Sequence, residues 1–301
     1  MSKGLIKESE MQQQVCWERD LLMMVDSPFI IRLYRTFKDR SFVYFLMEAA
    51  LGGDLYKLLK RTPELFNGDQ PRGWNTAFYV ACIILGLEHM HERHIVYRDL
   101  KPENVLLDSK GFAKLCDMGF ARFVLGKTNT LAGTPEYMAP ELIQFPHAHD
   151  RNVDWWSLGV LTFELSSGQT PFEDGGNADP HEKLLAIHRS QMKGEPRYPF
   201  GCTNHLKSFI SRLLKPVSQR LGSEHGAQEV RSHSWFKRLR LDFAALRDLR
   251  MQSPYCPSSK QSDDDAAAET RGQHAVTRQD SGCSDLYRQN EDDGDTWDAD
   301  F

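Results

Sequence analysis

The sequence predicts an α+β fold in which two strands precede a mainly helical body. Residues 32–38 and 42–48 are rich in aromatic and branched side chains and flank a polar turn, which is typical of a β-hairpin. Apolar residues recur at helical spacing over residues 74–90, and residues 153–165 are apolar almost all round. We therefore expect the helix at 153–165 to lie buried at the centre of the larger part of the molecule.

The remaining elements are predicted from shorter patterns. Ser9 and Gln12 form a capping-box pattern, which predicts a helix from there to about residue 24. Further short helices are expected at about residues 180–191, 204–215 and 226–239. Two strands are too few for a sheet that is stable by itself, so the hairpin needs the rest of the chain.

Charge divides the chain near residue 250. The net charge is −5, but residues 251–301 hold 12 acidic and 4 basic residues, which leaves +3 for residues 1–250. The acidic segment has few large apolar groups to offset its ordering entropy, so we expect it to be largely flexible. No basic block is present to displace counterions from phosphates, which disfavours nucleic-acid binding.

Short apolar runs and scattered cysteines indicate the compartment. Runs such as residues 80–85 fall far short of a membrane span, and the N-terminus has no signal-peptide pattern. The six cysteines include no Cys-x-x-Cys pair, so neither a disulfide framework nor a zinc site is expected. These features predict a cytoplasmic protein without a membrane span.

Three motifs in order carry the chemistry. They are YRDLKPEN at residues 97–104, DMG at residues 117–119 and GTPEYMAPE at residues 133–141. In a loop after a helix, the carboxylate of Asp99 can accept the proton of a substrate hydroxyl. Asn104 and Asp117 offer oxygen ligands that suit Mg²⁺, and Lys101 can neutralise a transferred phosphate. Each residue alone could be an ordinary polar loop residue, but three ordered matches within about 45 residues predict phosphoryl transfer.

With these motifs, the chain resembles the AGC group of protein serine/threonine kinases. Tyr97, the GTPEY run and DWWSLG at residues 154–159 point to that group. DSPFIIRLYRTFK at residues 26–38, LMEAALGGD at 46–54 and WDADF at 297–301 are similar to the catalytic region of cGMP-dependent protein kinases. The resemblance implies ATP and Mg²⁺ as cofactors and Ser or Thr of protein substrates as phosphate acceptors.

The resemblance also implies a protein-kinase-like bilobal fold. Residues 1–50 would form a partial small lobe with a helix and its last two strands, residues 51–250 the large lobe, and residues 251–301 an acidic C-terminal tail. Met1 falls where the third strand of the family's small lobe ends, and neither Gly-x-Gly nor Val-Ala-Ile-Lys occurs in the sequence. The glycine-rich loop and the phosphate-binding lysine are therefore expected to lie outside this chain.

Position by position, the resemblance assigns regulatory and structural roles. Glu18 would pair with the missing lysine. Arg98 would hold a phosphate that an upstream kinase adds to Thr130. A buried structural pair is implied for Glu141 and Arg220, and Asp154 would brace the catalytic loop.

Nucleotide and substrate contacts are implied as well. The nucleotide would contact the hinge and its surroundings, at Met47, Glu48, Ala50, Asp54, Glu103 and Leu106. Asp54 and Glu103 would also recognise basic residues N-terminal to the target hydroxyl, and Thr134 would belong to the substrate platform.

Three questions stay open at this point. Thr130 could be a loop hydroxyl beside Thr128, and Glu18 without its lysine could be solvated. The whole chain could be an incomplete kinase with weak or no turnover alone, or a pseudokinase that docks partners without catalysis. Retention of the catalytic-loop, metal-binding and phosphorylation-site residues favours the first interpretation.

Overall fold

Two helices, where the sequence predicts one, and a β-hairpin precede a larger, mainly helical part. The computed structural model describes residues 1–67, 73–172, 176, 179–194, 196–198, 202–257 and 297–301. Within them the helices are α1 (Lys3–Glu8), α2 (Gln12–Met24), α3 (Leu55–Arg61), α4 (Glu64–Asn67), α5 (Trp74–His91), α6 (Pro140–Ile143), α7 (Asn152–Ser167), α8 (Pro180–Met192), α9 (Asn204–Leu213), α10 (Ala227–Arg231), α11 (Ser234–Leu239) and α12 (Phe243–Arg247). The strands are β1 (Leu33–Lys38), β2 (Val43–Met47), β3 (Ile95–Val96), β4 (Val105–Leu107), β5 (Ala113–Leu115) and β6 (Arg122–Phe123).

The hairpin prediction is confirmed, whereas the helix start before it is wrong. β1 and β2 pair antiparallel, and the Asp39 carboxylate accepts bonds from the backbone N–H groups of Ser41 and Phe42 at 2.7 Å each, which shapes the turn. Ser9 does not cap α2. It follows the last residue of α1 and donates its backbone N–H to Leu5, and α2 begins only at Gln12.

The larger part is built around α5 and α7. Both helices are buried along most of their length, so the burial predicted for residues 153–165 is confirmed. Gly159 of α7 allows close approach of α9, because a Cβ there would lie 2.9 Å from the Cβ of Leu213. The single helix expected at 226–239 is two helices, since His233 has extended backbone and its ring accepts the Trp235 N–H at the start of α11.

Two short two-stranded sheets carry the polar loops. β3 pairs with β6 and β4 pairs with β5, both antiparallel. Leu115 of β5 donates its N–H to Phe29 and accepts the N–H of Ile31, each at 2.8 Å. These bonds join the hairpin of the larger part to the segment that leads into β1.

The two chain ends meet on the small part. Trp297 and Phe301 pack against a cluster that includes Ile6, Val15 and Val43. The acidic residues 258–296, for which a flexible tail is predicted, lie outside the described residues. Of the helices that the structure describes, none has both the length and the apolar character needed to cross a bilayer.

A buried ion pair joins α6 to the segment after α9. Arg220 Nη1 lies 2.5 Å from Oε1 of Glu141, and Arg220 Nη2 lies 3.0 Å from Oε2. The Arg220 side chain is fully buried, and it also donates to the backbone oxygens of Asn152 and Lys215. The guanidinium therefore links three segments of the larger part.

We predict that Arg220→Met lowers the free energy of unfolding by about 3–5 kcal/mol, because it leaves the Glu141 carboxylate without its buried partner. Urea denaturation followed by tryptophan fluorescence measures the change. Arg212→Met is the matched control: its guanidinium is half exposed and 3.7 Å from Glu229, so less than about 1 kcal/mol should be lost. Equal losses in the two variants would contradict the prediction.

Candidate active site

The loop between β3 and β4 places Asp99, Lys101 and Asn104 in one hydrogen-bonded group with Thr134. Asp99 is buried, and its Oδ1 accepts the Thr134 hydroxyl at 2.7 Å. Its Oδ2 accepts Asn104 Nδ2 at 2.7 Å and lies 3.0 Å from Lys101 Nζ. Lys101 Nζ also donates to Thr134 Oγ1 at 2.9 Å. A carboxylate, a cation and a hydroxyl thus converge on one point, although Thr134 is 35 residues from Asp99.

The carboxylate of Asp154 in α7 accepts hydrogen bonds from the backbone of this loop. Its Oδ1 accepts the N–H of Arg98 at 2.8 Å, and its Oδ2 accepts the N–H of Tyr97 at 3.0 Å. His91 Nε2 lies 2.7 Å from the same Oδ2. The buried Asp154 carboxylate therefore fixes the two residues that precede Asp99 in the chain.

Asp117 and Asn104 are brought together by the β4–β5 hairpin. The N–H of Cys116 donates to the backbone oxygen of Asn104 at 3.0 Å, which sets Asp117 beside the end of the catalytic loop. Asp117 Oδ1 accepts the N–H of Gly119 at 3.0 Å. Asn104 uses its amide nitrogen on Asp99, which leaves its amide oxygen for another partner.

This donor set suits Mg²⁺ only together with a phosphate ligand. Carboxylate and amide oxygens are the ligands that Mg²⁺ prefers, and it is commonly bound by one or two carboxylates plus substrate phosphates. In the described part of the chain, no three His, Cys, Asp or Glu side chains form a metal site by themselves. The residues present therefore fit a nucleotide-bound ion held by Asn104 and Asp117.

Glu18 of α2 lies beside Asp117 and is partly buried. Its carboxyl group accepts the backbone N–H of Met118. Burial, and secondly the charge of Asp117, raises the pKa of Glu18 to about 7. Gln14 of the same helix donates to the Gly119 oxygen at 2.9 Å. Lys3 does not serve Glu18 as a partner, because its Nζ lies 2.5 Å from Asp298.

The predicted hinge residues follow β2 directly. The side chain of Glu48 does not point freely into solvent: Lys114 Nζ lies 2.9 Å from its Oε1. Asp54 pairs with Leu106 of β4 in an isolated β-bridge, so these two predicted contact residues are neighbours. Met47 is the last residue of β2, and Ala50 lies three residues further on.

Asp54 and Glu103 lie on neighbouring elements, because α3 packs against the turn at Pro102–Asn104 that contains Glu103. Asp54 caps α3, accepting the N–H of Lys57 at 2.7 Å, and its Oδ2 lies 3.1 Å from Lys57 Nζ. Glu103 is exposed and lines a cleft of about 1080 Å³.

The cleft contains two further carboxylates that sequence reasoning missed. Glu136 and Glu164 line it beside Glu103, and Lys193 and Arg197 line it as well. Glu164 accepts the Tyr137 hydroxyl at 2.5 Å, and burial raises the pKa of its carboxyl group. Glu164 and Asp154 are the two carboxylates within the largely apolar stretch 153–165, and this was the signal that could have revealed Glu164.

The predicted phosphate site is cationic. Arg98 is buried, donates through Nε to the Phe120 oxygen at 2.8 Å and has no recorded partner for Nη1 among the described residues. Burial, and secondly the charge of Arg122, lowers the pKa of Arg98 to about 10. Thr130 is exposed, and the neighbouring Thr128 pairs its backbone with His149.

Comparison with known proteins identifies the family. A model of the protein kinase domain matches residues 2–236. The chain therefore belongs to the protein kinase family, and the predicted bilobal kinase fold is confirmed.

Its relatives are cyclic-nucleotide-dependent kinases of the AGC type. The human cAMP-dependent protein kinase catalytic subunit PRKX is 41% identical over 248 residues, which cover 82% of this chain and 65% of that protein. The yeast (Saccharomyces cerevisiae) cAMP-dependent protein kinase type 3 is 37% identical over 251 residues, 83% of this chain and 59% of that protein. The cGMP-dependent protein kinase, isozyme 2 forms cD5/T2, of Drosophila melanogaster is 37% identical over 266 residues, 86% of this chain and 27% of that protein. The chain thus spans less than two thirds of each of these relatives.

We predict that Glu18→Gln makes stability less dependent on pH. The folded pKa of Glu18, about 7, lies above the usual value of an unfolded glutamate, so the stability that its proton contributes is lost as pH rises through 7. At about pH 8 the variant should therefore exceed the wild type by about 2 kcal/mol in urea denaturation, and at about pH 5 the two should be similar. Glu8→Gln, an exposed glutamate on α1, is the control and should follow the wild type. Parallel pH profiles for Glu18→Gln and wild type would refute the prediction.

Proposed function

We propose that this chain carries the catalytic region of a serine/threonine kinase that transfers the γ-phosphate of ATP to basic protein substrates. The carrying observation is the group formed by Asp99, Lys101, Asn104 and Thr134, in which a buried carboxylate meets a cation and a hydroxyl within 3.0 Å. Orientation of a substrate alcohol beside such a carboxylate is what phosphoryl transfer requires. The cytoplasm is the proposed compartment.

The chain's own residues would act on the acceptor hydroxyl. Asp99 orients the alcohol and accepts its proton, and Lys101 balances the charge of that carboxylate while reaching the phosphate to be transferred. Thr134 holds Asp99 Oδ1 and so fixes the direction of the carboxylate. When bound at Asn104 and Asp117, Mg²⁺ with ATP supplies the electrophilic phosphorus and neutralises its charge.

The cleft with three glutamates supports a preference for basic substrates. Glu103 is exposed at its edge, and Glu136 and Glu164 also line it. Clustered carboxylates attract Lys or Arg side chains of a peptide and steer its approach. Glu103 immediately precedes Asn104 in the chain. A basic substrate residue held by Glu103 would therefore lie close to the acceptor hydroxyl of that substrate.

The cations near the activation segment support phosphorylation at Thr130 by an upstream kinase. Burial, and secondly the charge of Arg122, lowers the pKa of Arg98, and burial alone lowers the pKa of Arg122. A phosphate group carries nearly two negative charges and would relieve this repulsion. Since Arg98 directly precedes Asp99, such a phosphate would act on the catalytic loop.

One observation favours a second candidate, a docking module without catalysis. Glu18 contacts the Met118 N–H and Asp117, and the sequence contains no Val-Ala-Ile-Lys run to supply the usual lysine partner. Loss of that lysine removes part of the phosphate clamp, so turnover by these 301 residues is expected to be weak.

We predict that one variant impairs nucleotide binding and that another impairs phosphate transfer alone. Asp117→Asn should weaken Mg²⁺-dependent binding of a fluorescent ATP analogue, because it removes an anionic metal ligand. Asp99→Asn should leave that binding within about twofold of wild type but slow phosphate transfer to a basic serine peptide by about 10² or more. Fluorescence titration and a radiolabelled phosphate assay measure the two quantities.

The outcomes distinguish the candidates. Mg²⁺-dependent nucleotide binding by the wild type with no transfer would support the docking module. Transfer that persists in Asp99→Asn at the wild-type rate would refute the role of Asp99. Absence of nucleotide binding at millimolar concentration would refute the kinase proposal for this chain.

We also predict that Glu103→Gln weakens binding of a basic peptide roughly threefold, because it removes one exposed carboxylate from the cleft. Fluorescence anisotropy of a labelled serine peptide measures this without any need for turnover. Glu224→Gln is the control, since Glu224 is highly exposed and does not line the cleft. An equal loss for a peptide without basic residues would show that charge recognition is not the cause.

A further inference from the structure

A buried lysine outside the catalytic loop, Lys114, lies on β5 three residues before Asp117. Its side chain is 8% exposed, and its Nζ lies 2.9 Å from Oε1 and 3.1 Å from Oε2 of Glu48. Lysine is seldom buried without a partner, because desolvation of the ammonium group is unfavourable. The two charges therefore hold each other in place.

Glu48 is fixed from a second side as well. Its Oε2 accepts the backbone N–H of Arg32 at 3.3 Å, and its own N–H donates to the Arg32 oxygen at 2.8 Å. One carboxylate of the hinge thus contacts both the residue before β1 and the strand that leads to Asp117. A change in the hinge must break or move these contacts.

The position of Lys114 in the β4–β5 pair brings it beside Leu106, one of the predicted nucleotide contacts. Leu106 and Lys114 are directly opposite in the antiparallel register, so their side chains share one face of the hairpin. The next residue, Leu115, is bonded to Phe29 and Ile31 through its backbone. Contacts around Lys114 therefore connect the predicted hinge, Leu106 and the strand that leads to Asp117.

We propose that the Lys114–Glu48 ion pair is a clamp that sets the position of hinge residues 47–50 relative to Leu106 and Asp117. Lys114 is then a positioning residue for the nucleotide, acting through Glu48 rather than by contact with the nucleotide itself. The effect on nucleotide affinity rests on the proposed kinase function; the effect on the hinge does not.

Hydrogen exchange of the nucleotide-free chain tests the clamp directly. In Lys114→Met and in Glu48→Gln, amides of residues 47–50 and 115–117 should exchange roughly tenfold faster than in wild type, because local opening no longer breaks an ion pair. Lys114→Arg should restore most of the protection. Lys237→Met removes an exposed lysine of α11 and should change neither segment.

Titration with a fluorescent ATP analogue tests the positioning role. The dissociation constant should rise roughly tenfold in Lys114→Met, since displacement of a positioning group weakens the contacts that it aligns. Lys114→Arg should stay within about threefold of wild type. The double variant Lys114→Met, Glu48→Gln should bind no more weakly than Lys114→Met, because both changes remove the same interaction.

Three results would overturn the clamp. They are unchanged exchange at residues 47–50, an equal acceleration throughout α5 that reveals only global destabilisation, and strictly additive losses in the double variant. If the wild type bound no analogue, the kinase function would fail, while the exchange data would still decide whether the clamp exists.

Discussion

The buried carboxylate of Asp154 is the contact on which the catalytic loop depends. It is fully buried and accepts the backbone N–H groups of Tyr97 and Arg98, with His91 Nε2 at 2.7 Å. An unpaired carboxylate in the core would be strongly unfavourable. Burial of Asp154 therefore requires these three hydrogen-bond partners. Asp154 belongs to α7, which is buried over nearly its whole length. The helical core therefore positions the loop through Asp154.

The same bonds offset strained backbone at the site. Arg98 has φ of 68° and Asp117 has φ of 57°, in the left-handed region that non-glycine residues rarely adopt. Each such residue costs about 1–2 kcal/mol. Arg98 is held there by its N–H bond to Asp154, and Asp117 by the bond from Gly119 to its own carboxylate. The strain lies beside Asp99 and at Asp117, the proposed metal ligand.

Local pattern predicted much of this fold, and contacts between distant segments account for the rest. Helical spacing located α5 and α7, and branched residues around a polar turn located the β1–β2 hairpin, since these signals repeat over many residues. The motif spacing placed Asp99, Asn104 and Asp117 in one site. No local pattern predicts that Glu48 meets Lys114, 66 residues away, or that Glu18 accepts the Met118 N–H. The capping-box prediction failed for a local reason: Ser9 has the right sequence neighbours, but its N–H bonds to Leu5 and ends α1.

The last five residues help to hold α2, and with it Glu18, against the metal-binding segment. The Phe301 ring packs 5.5 Å from Phe45 and lies 5.1 Å from the Arg19 guanidinium, next to Glu18 in the chain. Asp298 pairs with Lys3, and Lys38 donates to the Asp298 backbone oxygen at 2.7 Å. A two-stranded hairpin gives a helix little to pack against, so burial of these aromatic rings supplies apolar contact area that the hairpin alone lacks. The chain's C-terminal residues therefore support the helix that carries Glu18, although none of them touches residues 97–104 in the contacts described.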